Sequence, residues 1–233
     1  MKKYISLEDV STIFILSLVL LLCISLFLCT LKMSNTEGFN KNMNKTMNTN
    51  IKDNIKNDKT VILLGDSVLK NNIYVNSGLA VDDHIKHIYK NTFNYAKDNA
   101  YIKDVYTQLN HIPPKYNNSS TYIVISFGGN DLIRMKETES VFIQYKKLYT
   151  TIKNKFPNTQ KIILNLYYPP QSLSNNTAKT MIDNWNYKLK KYLTSSILDI
   201  STLLDNKYDF VQIIEPSTSG GKKIADAIIN RIN

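Results

Sequence analysis

From Thr60 onward, short uncharged runs of strand-forming residues alternate with segments of helical period, and each of two such runs ends in a glycine-led polar triplet or quartet. The runs are Thr60–Leu64 (TVILL), Tyr122–Phe127 (YIVISF), Lys161–Leu166 (KIILNL) and Ser196–Ile200 (SILDI), with Phe93–Ala96 a weaker candidate. Amphipathic stretches over Ile102–Leu109, Val141–Lys155, Thr177–Thr194 and Gly221–Ile232 separate or follow them. Apolar strands divided by helices predict a parallel sheet covered on both faces, because a parallel pair needs a long crossover and the crossover helices blanket the sheet. Ligands of such sheets bind at the carboxyl ends of the strands. Gly65-Asp66-Ser67 and Gly128-Gly129-Asn130-Asp131 both fall at such ends.

The first 59 residues follow a different logic. Thr12–Leu31 (TIFILSLVLLLCISLFLCTL) carries no charge. Twenty residues at about 1.5 Å each reach roughly 30 Å, the thickness of a bilayer core. The run is longer than a cleaved leader and has no small-residue cleavage site, so it reads as an uncleaved transmembrane anchor behind a short tail, residues 1–11. Lys2 and Lys3 before the run nearly balance Lys32, Lys41 and Lys45 after it. The preferred orientation leaves the bulk of the chain on the non-cytoplasmic side. Residues 32–59, rich in Asn, Lys, Met and Thr, read as a flexible tether to a domain spanning residues 60–233. Both cysteines, Cys23 and Cys29, lie in the apolar run, which excludes a disulfide framework or a cysteine metal site in the rest of the chain.

Lys and Arg number 29 against 19 Asp and Glu. The excess is spread along the chain, and no zinc-finger spacing, RNP-like aromatic motif or basic helix accompanies it. A solvated basic surface is the reading, with no nucleic-acid partner expected.

A serine after a strand and a tight glycine turn, leading towards a helix, sits among unpaired N–H groups, which suits a nucleophile whose attack creates an oxyanion. An isolated Gly-Asp-Ser is more simply an N-cap. Here it is followed in order by NYAKDNAYIKDVYTQL, IVISFGGNDL and DFVQIIEPSTSGGKKIADAI. These four blocks resemble those of the SGNH (GDSL-type) ester hydrolase family, over about 170 residues. The resemblance implies a flavodoxin-like three-layer α/β/α domain with a parallel sheet, preceded here by one N-terminal transmembrane helix. It implies a serine esterase or acylhydrolase, cleaving small-molecule, lipid or glycan esters without metal or organic cofactor. Carried over, Ser67 is the nucleophile and its own N–H an oxyanion donor. Asn130 supplies a second donor from its side chain, and Gly65, Asp66, Gly129 and Asp131 support the motifs, the two aspartates as hydrogen-bonding braces.

Two departures stand out. The family's second block supplies an N–H from a glycine, where this chain has Asn99, the residue type that best tolerates left-handed backbone after glycine. The last block normally reads Asp-x-x-His-Pro; here Gln212-Ile213-Ile214-Glu215-Pro216 puts Glu215 at the histidine position. Ile214-Glu215-Pro216-Ser217 is similar to the corresponding segment of a subgroup of GDSL-like proteins. Glu215 is the possible base, although a free glutamate, with a pKa near 4.3, is too weak a base for serine at neutral pH unless burial raises it. The competing reading is an impaired cleft that binds acylated glycans or lipids without turnover. The three histidines do not resolve this. His84 and His87, even with Asp83, lack a metal-ligand pattern and read as surface residues on a polar helix; His111 belongs to a loop before Pro113-Pro114. Trp185 reads as a core or groove residue, and Tyr167-Tyr168-Pro169-Pro170 either lines the cleft or stiffens a turn.

Overall fold

The computed structural model describes residues 56–135 and 137–233. The proposed anchor and most of the tether lie outside the described residues. Strand β1 (Lys56–Gly65) is followed by α1 (Val81–Ile88), β2 (Tyr89–Asn94), α2 (Val105–Asn110), β3 (Thr121–Ser126), α3 (Gly129–Met135) and α4 (Thr138–Lys155). The chain continues through β4 (Gln160–Leu164), α5 (Pro170–Leu173), α6 (Asn176–Tyr192), β5 (Ile197–Leu198), β6 (Phe210–Val211), β7 (Glu215–Pro216) and α7 (Thr218–Ile232). The main sheet has the order β2-β1-β3-β4-β5. All four pairings are parallel. This is the doubly wound flavodoxin order, with its topological switch at β1 and β3.

The strands alternate their side chains between two cores. Ile62, Leu64, Ile123, Ile125 and Ile163 pack on one face beneath α2, α4 and α6, through Val105, Leu109, Tyr145, Leu148, Ile152, Trp185 and Leu189. Val61, Leu63, Val124, Ile162 and Leu164 pack on the other beneath α1 and α7, through Val81, Ile85, Ile224, Ala225 and Ile228. The period of two within each strand therefore supplies both interlayer cores. Both close within the compact unit Ile55–Asn233, so this part of the chain has what a domain needs to fold by itself.

Three local expectations are corrected. The strand begins at Lys56, so β1 takes in the last residues assigned to the tether; Lys56 pairs with Tyr89 across a register shift, and polar residues at a strand's start give no hydrophobic signal. The weak strand lies at Tyr89–Asn94, earlier than Phe93–Ala96, because it is an edge strand burying mainly Tyr89 and Thr92. Ser67 does not begin a helix. Asp66 C=O accepts from Leu69 N–H at 3.2 Å and Lys70 N–H at 3.0 Å, closing one turn, and the next helix starts only at Val81. Asn71-Asn72 and Asn76-Ser77-Gly78, the glycine at φ +83°, interrupt any helix between them.

Candidate active site

Three strand ends and one small hairpin converge on Ser67. Gly65 closes β1 so near to β3 that an added Cβ would lie 2.7 Å from the Ser126 carbonyl oxygen, which requires glycine there. Gln108 of α2 grips the same residue on both sides. Its amide accepts from Gly65 N–H and donates to Gly65 C=O, each at 2.9 Å, in a buried position. Asp66 Oδ1 then accepts from Val68 N–H and from Ser126 Oγ, both at 3.2 Å. Ser67, only 6% exposed, stands at the apex of this braced turn. Burial pushes Asp66 up to about 7, against the pull of its hydrogen bonds and helped by the charge of Glu215.

At the end of β3, Gly128 has φ +113°, and an added Cβ would sit 2.3 Å from the Trp185 ring. Trp185 is fully buried and meets Tyr145 edge to face at 5.4 Å, so it is a core residue that supports the turn from below. The first residues of α3 then reach across to the 99–102 segment. Asn130 Nδ2 donates to Ala100 C=O at 3.0 Å, and Asp131 Oδ2 accepts from Ile102 N–H at 3.0 Å. One N–H of the Asn130 amide is thereby spent on orienting it, and the other is left for a ligand. Asn99, just before Ala100, adopts the left-handed φ of 55° that its type allows. Its exposed side chain donates to Asp98 Oδ2 at 2.6 Å, and Asn99 does not line the cleft around Ser67.

Glu215 comes from the antiparallel β6–β7 pair, opposite Val211. The backbone is pinned before Glu215 and again one residue after it. Tyr167 Oη donates to Ile214 C=O at 2.7 Å, and the fully buried Asn71 donates to Pro216 C=O at 3.2 Å while accepting from Val81 N–H at 2.9 Å. Glu215 is 7% exposed, and its Oε2 has no hydrogen-bond partner in the protein. Burial raises its pKa, a hydrogen bond with the Ser67 side chain lowers it, and the charge of Asp98 raises it again. Asp98 is held by Tyr74, whose hydroxyl donates to it at 2.8 Å. Gln212, at the position where the family has aspartate, is exposed in the hairpin turn at φ 48°. None of the three histidines lines the cleft. His84 and His87 lie on α1, where burial and Lys222 lower the pKa of His84, and His111 stacks on Tyr95 with centroids 6.2 Å apart. Among the described residues no group of three or more His, Cys, Asp or Glu is arranged to hold a metal ion.

Sequence reasoning anticipated Ser67, Asn130 and Glu215, and the structure brings all three to one cleft of about 470 Å³. Tyr167 and Pro169 line it, so the YYPP segment does border the cleft, while Pro170 opens α5. Sequence reasoning missed Gln108, Asn71, Tyr74 and Asp98, whose roles arise from contacts with chain segments remote in sequence.

No protein-family model matches the sequence, and no curated protein is similar to it in sequence. Solved structures are similar in fold. A member of the lipolytic G-D-S-L family from Veillonella parvula superposes with a TM-score of 0.62 at 16% identity, over 74% of this chain and 97% of its own. A lipase from a goat rumen metagenome gives 0.61 at 18% identity, over 75% of this chain and 100% of its own. The psychrotrophic esterase EstA from Pseudoalteromonas sp., solved with monoethylphosphonate as inhibitor, gives 0.58 at 15%, covering 75% and 97%. With the G-D-S turn, the G-G-N-D turn and the Glu215 hairpin gathered at the strand ends of a five-stranded parallel sheet, the chain has the fold of the GDSL/SGNH lipolytic hydrolases.

Proposed function

We propose that this chain is a serine ester hydrolase in which Glu215 replaces the usual histidine as base, held at a membrane by residues 12–31 with its catalytic domain on the non-cytoplasmic side. The observation that carries the reading is that Ser67 and the buried Glu215 line one cleft, where burial raises the pKa of the carboxylate. A carboxylate made more basic in this way is better matched to the serine proton near neutral pH. Ser67 Oγ attacks the ester carbonyl as its proton passes to Glu215. The tetrahedral oxyanion is met by the N–H groups of Ser67 and Asn99 and by the Asn130 amide. Collapse expels the alcohol, which takes the proton back from Glu215. Water, deprotonated by Glu215, then attacks the acyl group, and as the acid leaves Glu215 returns the proton to Ser67 Oγ. Ser67, Glu215 and the attacking water supply every proton transfer, and no cofactor enters the scheme. As for the anchor, among the described residues no helix is long and apolar enough to cross a membrane, so the role rests on the 12–31 run alone.

One observation favours a second reading, a cleft that binds acylated glycans or lipids without turnover: neither a histidine nor Gln212, which is exposed, lines the cleft around Ser67. Hydrolysis of a simple p-nitrophenyl ester separates the two. The esterase reading expects Ser67→Ala to abolish turnover and Glu215→Gln to lower kcat by about 10²–10⁴-fold. Turnover that survives Glu215→Gln but not Ser67→Ala places the base elsewhere, and no turnover by the folded wild-type domain supports the binding cleft.

A further inference from the structure

In a parallel sheet the crossover helices run opposite to the strands, so helix C-termini and strand starts emerge at one end of the domain, the end away from Ser67. Cations favour a helix C-terminus, and the three long helices follow that rule. Lys153 and Lys155 lie in the last turn of α4, Lys191 in that of α6 and Arg231 in that of α7. The strand starts add Lys59 on β1 and Lys161 on β4. Positive charge that is spread along the sequence is thus gathered in space. The carboxylates lie elsewhere. Asp66, Asp98, Asp131 and Glu215 belong to the cleft end, and among the described residues Asp58 is the one acidic side chain at the strand starts.

These cations keep their charge. Lys59 Nζ donates to Ile232 C=O at 2.6 Å, Lys161 Nζ to the carbonyls of Phe156 and Thr159 at 2.5 and 2.7 Å, and Arg231 Nη2 to Ser195 C=O at 2.6 Å. A carbonyl orients a cation without cancelling it, and none of the six takes part in an ion pair among the described residues. Burial, and then the charge of Lys153, lowers the pKa of Lys161, which marks like charges packed together. Lys161 and Arg231 border a groove of about 360 Å³ that Tyr122, Ser195 and Ser196 also line. An ammonium, a guanidinium and hydroxyls around one opening suit a phosphate group.

The chain enters the domain at this same end, because β1 starts there. In the proposed function residues 12–31 hold the protein at a membrane, and residues 32–55 can span at most about 85 Å. A bilayer is then always within reach, and an anionic one complements the charge of this end. We infer that this basic foot docks on an anionic lipid surface. The groove between Lys161 and Arg231 takes a lipid phosphate, and the Ser67 cleft, at the other ends of the strands, is turned to the water. The inference rests on the anchor of the proposed function for proximity alone. Ser67 and Glu215 take no part in it, so docking and catalysis can fail separately.

The unit Ile55–Asn233, without the anchor, is sedimented at low salt with vesicles of phosphatidylcholine alone and with vesicles containing about 30% phosphatidylglycerol. The inference expects at least about tenfold stronger binding to the charged vesicles, lost in about 0.5 M NaCl, where surface charges are screened within a few ångströms. Lys153→Gln, Lys191→Gln and Arg231→Gln together are expected to weaken that binding at least about tenfold. Lys97→Gln, Lys103→Gln and Lys207→Gln remove the same charge at the cleft end, and are expected to change it less than about twofold. Lys153→Gln with Lys191→Gln alone, expected to cost at least about threefold, serves if circular dichroism shows that loss of Arg231 disturbs the fold. Equal binding to the two kinds of vesicle overturns the inference. So does an equal loss in the two triple variants, which would mean that net charge alone is read. Displacement from the vesicles by a few millimolar inorganic phosphate would assign the groove to a free anion, and tighter binding to duplex DNA at the same salt would assign the foot to nucleic acid; each overturns docking on lipid.

Discussion

A carboxylate serves as the base for a serine only where its surroundings make it hold a proton more firmly than it would in water, and Glu215 meets that condition mainly through burial, with the negative charge of Asp98 adding to it. The base must be ionised to work. Activity therefore falls as pH drops through the raised pKa, and the acid limb of kcat/KM is expected above 4.5, the ordinary glutamate value. Asp98→Asn, which removes one of the charges pressing on Glu215, is expected to move that limb to lower pH; a limb that stays put would detach Asp98 from the base. Asp66 gives a parallel prediction for stability. Its folded pKa of about 7 stands above the ordinary 3.8, so the folded state holds the proton more tightly than the unfolded state does. The stability this confers is complete below the unfolded pKa and is lost as pH rises through about 7. At about 1.4 kcal/mol per unit, the shift amounts to at most roughly 4 kcal/mol. Asp66→Asn cannot ionise, so wild type is expected to lose stability relative to it in denaturant titrations between about pH 4 and pH 8. A constant difference would mean that Asp66 titrates normally.

At the scale of elements, the site depends on turns that place motif residues against remote supports. Gly128 cannot accept a Cβ, both because its φ is +113° and because Trp185 fills the space. Gly128→Ala is expected to cost about 2–4 kcal/mol, read as a lower urea midpoint, and to reduce turnover by shifting Asn130. The elements were legible in the sequence to different degrees. Val61–Leu64 and Ile123–Ile125 announced themselves because a strand buried on both faces is apolar throughout. The long helices α4, α6 and α7 did so through their period. The segment after Ser67 misled, since a serine following a strand and a glycine suggests a helix start, whereas asparagines and Gly78 make the chain wander to Val81. The β6–β7 pair left no pattern at all. Two-residue strands exist because Asn71 and Tyr167 hold the backbone beside Glu215, and those are contacts across 145 and 47 positions of sequence. Asn99 was legible for a local reason: its left-handed backbone is a matter of its own residue type.

For the whole molecule, the sheet order and the two cores follow from strand alternation, and they bring the ends of β1 and β3 side by side at the switch point. That is why Ser67 and Asn130, 63 positions apart in sequence, share one cleft. Neither strand pattern nor motif disclosed the raised pKa of Glu215, because burial and the charge of Asp98 set it, both tertiary properties. The central claim is that Ser67 is activated in this setting without histidine. Its most direct test is labelling of the unit Ile55–Asn233 with a fluorophosphonate probe, beside Ser67→Ala and Glu215→Gln. The account predicts labelling of the wild type that disappears with Ser67→Ala and slows at least about tenfold with Glu215→Gln. Absence of labelling in a folded wild-type domain would contradict it, and would mark Glu215 as the place where catalysis was lost.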